Sequence, residues 1–386
     1  MSLSHSITLS LQKLRKTFKN QNWVEISQST ILNNFDLFQS LHPEQGVIPV
    51  LKANAYGHGL EQIAEILKAR TFPYIAVDGY FEALRIREVS PQPILVMGAI
   101  DPDNFKRMKC STYTFVISDI QTVVALGALQ KRVKVHIELE TGMNRYGVKS
   151  KDLDALLSEL KKYPKIQVEG VMSHLADADG PHETYTVQQV ALFDAGVEVI
   201  RAAGFSPSIV HIGQSAGNIV AQSKYAQTFR LGLGLYGFNP FPAEHPKAPL
   251  LTTLRPALQI MSTITKVHEL APGESVSYGC TFTATRPTRI GVLPLGYYEG
   301  IPRALSNVGC GLSQKNEVLP IVGRICMNHL MVDITNTQVA FNDTVVVMSA
   351  NPKDPNSVDQ ISSIHGIFNY LLLVQINENF KRIITP

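Results

Sequence analysis

The sequence predicts an α/β protein, with an N-terminal (β/α)8 barrel of the TIM type followed by a smaller, mostly β C-terminal domain. Three observations point there. Eight short apolar runs alternate with amphipathic segments between Asn22 and Pro249, the rhythm of a parallel barrel. The punctuation then changes at a proline-rich stretch. Beyond it, β-branched segments recur with turn residues between them and no long helix before about Ile361. An open doubly wound sheet would give the same periodicity in the first part and stays open as the alternative.

The elements follow in order. Residues 1–22, MSLSHSITLSLQKLRKTFKNQN, read as an extension with at most one short amphipathic helix. They lack the continuous apolar core of a secretory signal. The barrel is expected over 23–250. Its strands are VIPVL (47–51), YIAVD (74–78), ILVMG (94–98), TFVIS (114–118), VKVHIEL (133–139), VEGVMSHL (168–175), IVHIG (209–213) and FRLGLGLYG (229–237). Helical patterns lie between them, among them 151-KDLDALLSELKKY-163 and 188-QQVALFDAGVEVIRAAG-204, the latter closed by Gly204. The segment FNPFPAEHPKAPL (238–250) is the linker. The C-terminal β domain, 251–386, contains LQIMSTITKV, RIGVLPL, EVLPIVGRICM, HLMVDI and DTVVVMS.

Composition narrows the function. Of the 386 residues, 45% are hydrophobic and 17% charged, so a sizeable core can form. A net charge of +3 is too mild to argue for nucleic acid or an anionic membrane as partner. No apolar run reaches the roughly 18 residues needed to span a bilayer. Cys110, Cys280, Cys310 and Cys326 lie far apart without metal-ligand spacing. They read as free thiols, with no metal and a cytoplasmic location expected.

In a barrel, chemistry collects just past the carboxyl ends of the strands. There the first run ends in Lys52 and Tyr56, and the fifth leads to Arg145 in ETGMNRYG. The sixth ends near His174, the seventh reaches Ser215, and the eighth carries Arg230 in RLGLGLYG with its glycines. Each has an ordinary explanation: a strand-closing lysine, a capping serine, a satisfied core histidine, surface arginines. Their shared position argues otherwise. A hydroxyl and a glycine turn after strands seven and eight form a phosphate cradle. A lysine at the same mouth suggests a phosphorylated aldehyde held as an imine.

The motifs VLKANAYGHG, TGMNRYG, SHLADAD, RLGLGLYG, VSYGCTFTA, LGYYEG and GRICMN, in this order, resemble those of the alanine racemases, pyridoxal-phosphate enzymes of fold type III. The resemblance covers nearly the whole chain. It implies pyridoxal 5'-phosphate as cofactor, carried by Lys52, which also acts as one catalytic base. It implies Tyr278 as the second base; that phenol needs a cationic neighbour or a hydrogen-bond chain to work at neutral pH, and His174 linked to Arg230 is the candidate. Arg230 would face the pyridine nitrogen, while Tyr56, Ser215, the backbone of Gly232 and Leu233, and Tyr370 bind phosphate. Arg145 and the backbone of Met327 would hold the substrate carboxylate, and Tyr297 would line the entrance. The implied assembly is a head-to-tail homodimer with Tyr278 and Met327 acting in trans. The implied role is supply of D-alanine for peptidoglycan.

Four positions depart from the family pattern. Glu138 stands where many members carry a carbamylated lysine, and could supply that negative charge itself. Asn328 and Glu299 each replace an aspartate, and Leu371 follows Tyr370 where glutamate is common. These bear on selectivity more than on chemistry: alanine is the expected substrate, with serine or a broader amino-acid range open. The rivals are a pyridoxal-phosphate carrier without turnover, a fold-related decarboxylase and a cofactor-free imine-forming aldolase. Arg230, where a decarboxylase would be expected to place an acid, speaks against the second.

Overall fold

A computed structural model describes residues 19–386. Residues 1–18, which hold most of the expected N-terminal extension, lie outside the described part. The chain divides into two compact units, one spanning Ser27–Ala257 and the other gathering Leu258–Thr385 with the strand that ends the N-terminal segment at Ile26.

The first unit is the expected barrel. Its strands are β2 (Gly46–Pro49), β3 (Ile75–Val77), β4 (Ile94–Val96), β5 (Thr114–Ile117), β6 (Val133–Glu138), β7 (Ile166–Met172), β8 (Ile209–His211) and β9 (Thr228–Leu231). They form one parallel sheet in the order β2-β9-β8-β7-β6-β5-β4-β3. A bridge between Val50 and Ala76, with the Leu51 N–H donating to the Ala76 carbonyl at 2.8 Å, brings β2 back toward β3. The order never reverses, as it would at the switch point of a doubly wound sheet, so the open-sheet alternative falls.

Local sequence explains the helices around it. The helix Gln28–Leu41 starts where the Ser27 hydroxyl accepts from the Thr30 N–H, a Ser N-cap satisfying a free helix donor. Asp119 does the same for Ile120–Ala128 through Thr122. The helix Ser150–Lys161 buries Leu153, Leu156, Leu157 and Leu160. That i, i+3, i+4, i+7 stripe drives it onto the sheet.

The second unit is mostly β. The strand β1 (Asn22–Ser27), counted with the barrel from the sequence, pairs antiparallel with β10 (Leu258–Thr263), Asn22 opposite Ser262. A six-stranded sheet is built around this pair. A three-stranded sheet joins Lys266–Leu270, Thr288–Leu293 and Leu330–Asp333. The last two helices are Val358–His365 and Asn369–Val374.

Candidate active site

The residues after β2 do something their small size permits. Ala53, Asn54, Ala55 and Tyr56 all have φ between 52° and 54°, a left-handed turn in which each L-residue costs about 1–2 kcal/mol. The turn is over-determined by its surroundings. The Ala53 N–H donates to Glu82 Oε1 at 2.7 Å, the Ala55 N–H to the Leu51 carbonyl at 2.8 Å, and the Leu60 N–H to Asn54 Oδ1 at 3.0 Å. The Tyr56 ring packs on Tyr236 with centroids 4.8 Å apart, and the buried Tyr236 hydroxyl donates to the Val50 carbonyl at 2.8 Å. Strain held this firmly is typical of functional backbone. It projects Lys52 and Tyr56 from one short turn.

Both side chains line a cavity of about 190 Å³ together with Asp78, Glu138, Arg145, His174, Arg230 and Gly232. Arg230 is 3% exposed and is saturated along its Nη groups. Nη1 donates to His211 Nδ1 at 2.7 Å; Nη2 donates to the carbonyls of Ser173 at 2.7 Å and Ile212 at 3.0 Å, and to His174 Nδ1 at 3.1 Å. Its Nε has no hydrogen-bond partner among the described residues. Burial lowers the guanidinium to about 10, which leaves it charged at neutral pH. The same burial, reinforced by the Arg230 charge, depresses His174 to about 3 and His211 well below its ordinary value. Both histidines are therefore neutral acceptors toward the arginine.

The expected phosphate groups converge beside this cluster. The buried Ser215 hydroxyl accepts from the N–H groups of Gly232 and Gly234, each at 3.2 Å. Only glycine fits at 232, because a Cβ there would lie 2.8 Å from the Tyr56 hydroxyl. Leu233 is buried at the start of the following turn. Glu138, 6% exposed, faces the same cavity. Desolvation pushes its carboxyl up, and the nearby Arg230 and Arg145 charges oppose that rise.

The other expected residues lie in the second unit. Tyr278 and Tyr297 border one surface hollow of about 350 Å³ with Arg303, Ile325 and Cys326. Tyr278 is 69% exposed and Met327 is 55% exposed. Backbone strain recurs here: Ser277 has φ 65° and Cys280 φ 48° on either side of the tyrosine, and the Ser277 hydroxyl donates to the Arg324 carbonyl at 2.6 Å. The turn carrying Tyr297 is tied to Met327 by N–H donation from Tyr297 to the Cys326 carbonyl at 3.1 Å and from Tyr298 to the Met327 carbonyl at 3.0 Å. The departures at 299 and 328 meet: Asn328 Nδ2 donates to Glu299 Oε1 at 2.8 Å. Tyr370 sits on the helix Asn369–Val374, its ring stacked on Phe368 at 4.9 Å.

Sequence reasoning missed His211 and His136. The signal was present, since each is a lone histidine inside an apolar strand, VKVHIEL and IVHIG.

Comparisons with known proteins agree with this geometry. The family description "Alanine racemase, N-terminal domain" matches residues 26–240, and "Alanine racemase, C-terminal domain" matches 257–384. The alanine racemase of Methanococcus maripaludis is 30% identical over 369 residues, covering 94% of this chain and 98% of that protein. The solved alanine racemase of Clostridium difficile 630 superposes with a TM-score of 0.87 at 27% identity, covering 96% of this chain and 97% of that one. The alanine racemase of Bartonella henselae with covalently bound pyridoxal phosphate has the same fold, with a TM-score of 0.79 at 24% identity, covering 95% of this chain and 100% of that one.

Proposed function

This chain belongs to the alanine racemase family, and we propose that it interconverts L- and D-alanine with pyridoxal 5'-phosphate as cofactor. The residues fit that group. Tyr56 and Ser215 offer hydroxyl donors for a phosphate around a space that a Cβ at 232 would invade, and the Gly232 N–H, which donates to Ser215 here, would turn to the phosphate when it binds. Lys52 supplies the amine on the wall of the same cavity. Tyr370 and the Leu233 N–H complete the phosphate contacts by analogy with the family.

When bound, pyridoxal phosphate supplies an electron-withdrawing ring that makes the Cα proton of an amino acid removable. The chain's own groups do the rest. Lys52 holds the cofactor and moves a proton at one face of Cα. Tyr278 of the partner subunit, in a head-to-tail homodimer, moves it at the other face, and His174 linked to Arg230 assists that phenol. Two bases suit inversion better than one base that must cross a planar carbon. Arg230 has donors only, so it would donate to the pyridine nitrogen of that ring and would not protonate it. Arg145 and the backbone N–H of Met327 hold the substrate carboxylate, with Glu138 orienting Arg145 by its charge, while Tyr297 lines the entrance. The product feeds peptidoglycan synthesis in the cytoplasm.

The observation that supports this most is Arg230, which lines one cavity with Lys52 and is pinned through both Nη atoms while its Nε–H meets no acceptor among the described residues. The test is direct. Yellow, purified protein given pure L-alanine is expected to accumulate D-alanine until the two are equal, without releasing carbon dioxide. Colourless protein, carbon dioxide release, or colour without inversion would overturn the reading.

A further inference from the structure

Behind Arg230 lies a second buried imidazole with no assigned role. His211 Nε2 and His136 Nδ1 are 2.9 Å apart, and both side chains are fully buried. The order of protons along this chain is forced. A guanidinium has only donors, so His211 must present its Nδ1 lone pair to Arg230 Nη1. Its own proton then sits on Nε2 and is donated to His136 Nδ1. His136 in turn carries its proton on Nε2. That nitrogen is buried with no hydrogen-bond partner among the described residues, and the ring stands edge-on to Tyr74 at 5.4 Å and 89°.

The reverse order would aim an N–H of His211 at an N–H of Arg230 across 2.7 Å. The fold accepts a stranded donor on His136 instead. An unsatisfied buried polar group calls for a reason, and the backbone supplies two further signs that the ring is deliberately seated. The β6–β7 register shifts between Val135 and His136, a bulge that sets His136 opposite Gly170, and bulges re-aim side chains. At Gly170 a Cβ would lie 2.6 Å from the His136 ring, so only glycine leaves the imidazole its place.

We propose that His136 is a positioning residue for the racemase reaction: it accepts the proton that Arg230 forces onto His211 Nε2, fixes the orientation of that ring, and thereby holds the Arg230 guanidinium in register with the cavity. The inference rests on the racemase reading for its catalytic consequence, but its proton order is independent of turnover. His136→Leu removes the acceptor for the His211 proton. His136→Asn keeps an acceptor near the Nδ1 position and rescues.

The experiment has two arms. In protein labelled with 15N-histidine, without substrate, His211 is expected to show an unprotonated Nδ1 and a protonated Nε2 across neutral pH, with the Nε2 proton at a hydrogen-bonded, downfield shift in the native chain and in H136N but not in H136L. In the active enzyme, H136L is expected to lower kcat about tenfold, the upper end of the scale for one neutral hydrogen bond. KM for alanine should change far less, and the absorption band of the bound cofactor should shift. H136N should stay within about threefold of native. A protonated Nδ1 on native His211 would overturn the proposal. So would H136L with native kcat and spectrum, or H136N as impaired as H136L. If the protein does not racemise alanine at all, the racemase reading fails while the nitrogen shifts still judge the relay.

Discussion

The two proposed bases both adjoin strained backbone, in opposite surroundings. Lys52 opens a left-handed turn of four residues whose N–H groups and rings are bound within the barrel. It shares a cavity with an arginine that is almost wholly buried. Tyr278 stands between Ser277 and Cys280, both at positive φ, yet is 69% exposed. On the proposed reading, one half of the chemistry lies inside its own unit. The other rests on a phenol exposed on the second unit, as a site completed by a second subunit would require.

Substitutions sharpen that contrast. The largest effect is expected from Lys52→Ala, which should abolish both racemisation and the yellow colour of the purified protein. Tyr278→Phe should leave the colour intact and lower kcat by about 10²–10⁴, the range of a lost acid–base catalyst. Loss of cofactor from the tyrosine variant would erase the distinction between the two halves.

The buried half should also be the acid-sensitive half. His136 and His174 are held to about 3, and His211 well below its ordinary value, mainly by burial. Their pKa values are depressed on folding, so between about 6.5 and the folded values the unfolded chain binds more protons. Stability therefore falls as pH drops through that window. Going from about pH 7.5 to about pH 5.5 should cost about 1.4 kcal/mol for each such histidine. Urea midpoints at the two pH values measure it, and a flat profile would mean that the histidines are already charged or solvated in the folded protein.

Smaller effects probe the departures from the family pattern. Glu138→Gln should raise KM for alanine by roughly tenfold through Arg145, with kcat less affected. Activity of the native chain should not respond to added or removed carbon dioxide. Asn328→Asp would set a second carboxylate against Glu299 in place of the 2.8 Å hydrogen bond. The expected cost is about 1 kcal/mol in thermal stability, with a modest change in KM.

The barrel was readable because its strands are apolar runs ended by polar residues: Lys52 and His174 fall just past such ends, Arg145 in the loop beyond one, and Arg230 inside the last strand. What escaped was non-local or conformational. Nothing in NWVEIS reveals that it pairs with residues some 240 positions away. Ala-Asn-Ala-Tyr looks like the start of a helix, and its left-handed path is chosen by Glu82, Asn54 and Tyr236 together. His136 and His211 are single polar letters in apolar strands, and only the register of β6, β7 and β8 brings them into line with Arg230. The pairing of Asn328 with Glu299 joins two positions that look like separate substitutions in the sequence.

The most direct test of a site shared between subunits is complementation. Inactive Lys52→Ala and Tyr278→Phe chains are mixed, unfolded and refolded together, so that half of the dimers are hybrids. Each hybrid then has one site with both native bases, and activity should return to about a quarter of the native value. A mixture that stays as inactive as its two components would contradict the account.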